Sequence, residues 1–144
     1  MDVSDLRKRI LRALDDARKD AATRRQVVDA AAAAYEAFLT NTAVPLVRQA
    51  VLVLRAEGHA FTANTPAGTV RLTSDTSPQT FIEFELDASG PDPQVVGRVS
   101  HARSRQGVVV EERPIAPGTA LSDLTDDDVA KFLVTEIPKL VSRS

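Results

Sequence analysis

Apolar residues recur every three or four positions over the first third of the chain. Leu6, Ile10, Leu14, Ala17, Ala21, Val28, Ala31, Tyr35 and Phe38 fall on one stripe at helical spacing. Ser4 is placed to cap the start, and the run Ala30-Ala31-Ala32-Ala33-Ala34 combines the highest helix propensity with almost no bulk. Asp5 before Arg9, Asp15 before Lys19 and Asp20 before Arg24 add acid-to-base pairs at i,i+4 on the other faces. Thr40-Asn41-Thr42 interrupts the stripe and Pro45 follows, so the pattern predicts a second helix from about Thr42 to Glu57. Gly58 is its C-terminal stop. The alternative is one continuous helix kinked at Pro45.

From His59 the period falls to two. Phe61 leads into the turn signal Asn64-Thr65-Pro66-Ala67-Gly68, and Thr69 to Thr73 answers as a second strand. Thr80 to Asp87 is the clearest strand, with Ile82, Phe84 and Leu86 on one side and Glu83, Glu85 and Asp87 expected to face water. After the proline-containing loop Ser89 to Pro93, Gln94 to Ala102 and Gly107 to Arg113 form two more strands about Ser104-Arg105-Gln106. Such short links favour an antiparallel meander. Thr125, with Asp128 three residues on, opens a last helix whose stripe is Val129, Phe132, Leu133, Ile137, Leu140 and Val141, with Pro138 expected to kink or tighten it.

The predicted fold class is α+β: helices, then a five-stranded antiparallel meander, then a C-terminal helix packed on one face of the sheet. One domain over 1–144 is expected, divided into a helical region 1–57, a sheet 59–114 and a helix 122–142. Composition sharpens this little. The chain is 43% hydrophobic with one Tyr, five Phe and no Trp, so the core must be mainly aliphatic. A net charge of −2 supplies no global attraction to nucleic acid or anionic membrane. With no cysteine, disulfides, thiolate metal sites and a cysteine nucleophile are excluded. A polar start without an apolar h-region, and no strongly apolar stretch longer than Ala50 to Leu54, predict a cytoplasmic protein that is neither secreted nor membrane-spanning. Heavy use of Ala, Arg, Asp, Val and Thr suggests a bacterial source.

Catalytic patterns are weak. Ser74, Asp75 and His101 can be combined on paper into a triad, but nothing resembles a nucleophile elbow. There is no His pair at ligand spacing and no glycine-rich phosphate turn, so no metal, cofactor or nucleotide site is expected. Asp126-Asp127-Asp128 reads as helix-dipole complementation. Two features remain. Arg71, Arg98, His101 and Arg103 concentrate positive charge on the sheet and form a candidate anion-binding set, although strand parity puts Arg98 opposite to His101 and Arg103. The N-terminal helix places Leu14, Ala21, Val28 and Tyr35 at one seam position and Ile10, Ala17, Ala31 and Phe38 at the other. The expected function is a non-enzymatic protein-interaction module, adaptor or chaperone-like, that forms a homodimer through this helix or binds a protein partner. A small anionic-ligand-binding or weakly enzymatic domain, with a pocket between sheet and helices, is the alternative.

Overall fold

A computed structural model of the chain describes residues 1–102 and 107–141. Arg103, and the expected turn at Ser104-Arg105-Gln106, lie outside the described residues. Helix α1 spans Val3–Phe38 and is capped by Asp2, whose Oδ1 accepts from the Ser4 N–H at 3.4 Å. The cap therefore sits two residues before Ser4. A π-helical turn over Leu39–Ala43 leads without a break into α2, Val44–Ala56.

The chain thus follows the continuous alternative, and the π turn explains how. Pro45 has no N–H to give the carbonyl four residues back, and its ring crowds that carbonyl. Widening the preceding turn, with the Val44 N–H reaching Leu39 O, takes in the proline without ending the helix. The wide turn also keeps the buried positions on one side. Ala31, Tyr35 and Phe38 before it and Ala43, Val47 and Leu54 after it all face the core. Beyond α2, Gly58 (φ 87°) occupies the left-handed conformation that frees the His59 N–H to bond Leu54 O at 2.8 Å.

Strands β1 Phe61–Asn64, β2 Val70–Ser74, β3 Phe81–Asp87, β4 Gln94–Ala102 and β5 Val108–Pro114 form one antiparallel sheet in sequence order. The meander is as the short links predict. One face carries Phe61, Val70, Leu72, Ile82, Phe84, Val95 and Val99, all buried. Helix α2 lies over β1 and β2, and α3, Asp126–Val141, lies over β4 on the same face. A short 3-10 turn, Leu121–Asp123, packs Leu121 against α1. Thr125 and Asp128 make the capping box: the Thr125 N–H donates to Asp128 Oδ2 at 2.9 Å, and the Asp128 N–H to Thr125 Oγ1 at 3.4 Å. Helix α3 runs on through Pro138 to Val141.

The two layers lock at Gly97. A side chain there would meet the Phe132 ring at 2.3 Å, so only glycine lets α3 approach β4 this closely. Phe132 in turn sits edge-on to Phe84, with ring centroids 5.5 Å apart, and carries the Arg113 guanidinium 4.6 Å above its ring. Arg113 pairs there with Glu136, which is fully buried and also 3.3 Å from Lys139 Nζ.

Candidate functional site

From residue 1 to 30 every position of α1 is exposed except Ala21, which is half-buried, and the first buried residue is Ala31. About eight turns of helix therefore stand clear of the sheet, a length of about 40 Å. An isolated helix gains its stability mostly from packing, so a free arm of this length needs help. The alanine-rich sequence and the Lys19–Asp15 pair at 3.1 Å supply some of it. Val3, Leu6, Ile10, Leu11, Leu14, Val27 and Val28 are each at least 43% exposed. Exposed apolar residues carried along one element over this length make it the candidate interaction surface of the chain.

The structure divides the seam expected from the sequence. Leu14, Ala21 and Val28 lie on the free arm, whereas Ala31, Tyr35 and Phe38 are 8%, 7% and 6% exposed and belong to this chain's own core. Tyr35 is anchored through its hydroxyl, which donates to Gly68 O at 2.5 Å and lies 3.3 Å from Phe84 O. Burial, with lesser contributions from the Glu85 and Glu83 charges, pushes the Tyr35 phenol up to about 12.

The basic set is spread over both faces of the sheet. Asn64, Arg71, Glu83, Arg98 and Glu112 form one cross-strand row on the face away from the helices. Arg71 Nη2 and Arg98 Nη1 lie 2.9 and 3.1 Å from the Glu83 carboxylate, and Arg98 Nη2 also reaches Glu85 at 2.5 Å and Glu112 at 3.4 Å. Glu83 is 3% exposed, although strand alternation predicts it in water. Its two arginine neighbours cover it and take up its charge. Burial works against the Arg98 charge, but Glu85, Glu112 and Glu83 outweigh it and raise its pKa. His101 points to the opposite, helix-facing side. Arg71 and Arg98 are thus brought together around a carboxylate of the chain itself, and His101 is not brought to them.

Other chemistry-bearing residues are engaged in local structure. Asp75 is held by Arg55 at 2.9 Å and Thr62 at 2.6 Å, which pins the end of α2 to β1, and Ser74 Oγ lies 3.1 Å from Thr76 Oγ1. Ser74 and Asp75 are thereby committed away from His101. Among the described residues no group of three or more His, Asp or Glu side chains stands at metal-ligating spacing.

A cleft of about 430 Å³ between α2 and α3, walled by Leu46, Ala50, Val53, Leu133, Val134 and Ile137, was missed in the sequence reading. Its signal was present in the apolar residues that α2 carries outside its core stripe. The continuous rod Val3–Ala56 also contains an 18-residue window long and apolar enough, by length and composition, to cross a membrane. Breaking the helix at Thr40 hides that window, and 22% of it is buried here. Comparison with protein-family models, with curated proteins and with solved structures finds no match to this chain.

Proposed function

We propose that the chain is a non-enzymatic protein-interaction module, adaptor or chaperone-like, that dimerises through α1. The observation that carries this reading is the free arm, with an apolar stripe left exposed by the described residues of its own fold. The side chains with chemical potential give further support. Arg71, Arg98, Asp75 and Ser74 are engaged in pairs that hold the sheet and helices together, and an anion would have to displace Glu83 to reach the two arginines.

Light scattering tests the proposal. The protein at micromolar concentration is expected at twice the chain mass, and Val28→Glu at the chain mass with the same thermal transition. Val28 is 45% exposed, so glutamate there costs the folded chain little. Phe38→Glu is no substitute, since Phe38 is 6% exposed and its replacement would unfold the core. A wild-type protein that stays monomeric at high concentration would overturn the reading.

A further inference from the structure

The stripe on the free arm is graded in size. Its first half carries Val3, Leu6, Ile10 and Leu14, and its second half Ala17, Ala21 and Val28, with Arg24 interrupting it. At 100° per residue these positions keep to one face of the helix. Near the middle of the second half, Ala21, Arg24, Arg25 and Val28 surround a shallow depression of about 340 Å³. The spacing i, i+3, i+4, i+7 is that of the four residues that receive one side chain from a facing helix. Two walls of this depression are arginine stems, whose methylenes cover apolar surface while their charges stay in water.

We infer that the arm is completed by a second copy of the chain, with the two arms antiparallel and level so that Ile10 of one faces Ala21 of the other. This rests on the reading of α1 as a dimerisation helix and adds its orientation and register. Leu14 then faces Ala17, Val3 faces Val28, and Leu6 enters the hole formed by Ala21, Arg24, Arg25 and Val28. In the central layers, Ile10 on Ala21 and Leu14 on Ala17, bulky side chains are met by alanine, so the axes can hold near the close end of the usual ~8–10 Å range there.

The parallel arrangement fails on two counts. It sets bulk against bulk at one end and alanine against alanine at the other. Past Val28 it also drives the second copy's helix toward the side of the rod that this chain's own sheet covers at Ala31, Tyr35 and Phe38. The antiparallel overlap ends before that point. It engages about 20 residues a side, the size of a standard interface of about 1,600 Å², and its two-fold symmetry closes the assembly at two copies.

The chain has no cysteine, so introduced ones report cleanly. Under mild oxidation the double variant Ile10→Cys with Ala21→Cys is expected to form a covalent dimer. Ile10→Cys alone and Ala21→Cys alone are expected to stay uncrosslinked, because like residues lie about 16 Å apart along the axis, beyond the ~7 Å limit for a disulfide. Leu6→Glu is expected to halve the mass seen by light scattering with the sheet's thermal transition unchanged. Crosslinking of Ile10→Cys alone would mean parallel arms and overturn the register while keeping the dimer. A dimer by mass that none of these variants crosslinks would place the interface elsewhere and overturn it too. A monomer with no crosslink in the double variant would overturn both this inference and the reading beneath it.

Discussion

Replacing Gly97 by alanine tests how the helical layer is seated on the sheet. The new methyl would stand 2.3 Å from Phe132 Cζ and 2.7 and 2.8 Å from its two Cε atoms. All three distances are well inside van der Waals contact, so ring or backbone must move. The ring has little room to give, since Phe84 meets its edge at a centroid distance of 5.5 Å and Arg113 covers it at 4.6 Å. Moving it would also disturb Arg113 against the fully buried Glu136. The cost should therefore lie near the top of the overpacking range, about 3 kcal/mol. For a chain of this size that lowers Tm by about 6–12 °C. Phe132→Leu alone should cost about 1–2 kcal/mol through the lost contacts and the space left behind. In the double variant the methyl fills part of that space, so the two losses should fall short of additivity by more than about 1 kcal/mol. Differential scanning calorimetry on the four proteins gives the cycle. A single Gly97→Ala variant within 1 °C of wild type, or a strictly additive double, would refute the close-approach argument.

Two further expectations come from polar anchors in the fold. Tyr35→Phe removes a donor to Gly68 O and should cost about 1 kcal/mol at neutral pH. The phenol of the folded protein titrates at about 12 against an ordinary value of 10.0, so its contribution is whole below pH 10 and is lost as pH rises through 12. Urea midpoints should therefore fall more steeply above pH 10 in wild type than in Tyr35→Phe, and parallel curves would refute the assignment. Glu83→Ala leaves two arginines facing each other without the carboxylate between them and should cost about 2–3 kcal/mol, with Glu83→Gln falling between it and wild type. A neutral Glu83→Ala in chemical denaturation would mean that the row contributes nothing to stability.

The fold was legible wherever local pattern and burial agree. The alternation of Ile82, Phe84 and Leu86, the turn residues between strands and the stripe of α3 all point to the observed meander and its roof. Local pattern failed at Pro45, where proline beside a polar Thr-Asn-Thr run reads as a break. A one-residue widening that absorbs proline leaves no periodic trace. It failed again at Glu83, whose burial depends on Arg71 and Arg98 being directly opposite on the neighbouring strands. That register follows from the whole meander, not from any single strand. The N-terminal helix was legible as a stripe, but the division between free arm and core was not. Ala21 and Ala31 are the same residue on the same stripe, and only the reach of the protein body, which covers Ala31 and not Ala21, makes the second one core.

The π turn at Leu39–Ala43 has a bearing on the arm far from it. Because the rod is unbroken, the azimuth at which Leu6 and Ile10 leave the sheet is set by how many residues that one turn contains. Removing one residue there would set the N-terminal stretch about 100° out of phase with α2, so that Ala31, Tyr35 and Phe38 could no longer share one core with Ala43, Val47 and Leu54. The turn therefore acts as an indexing joint that keeps both halves of the rod in one phase, and with it the heading of the exposed stripe.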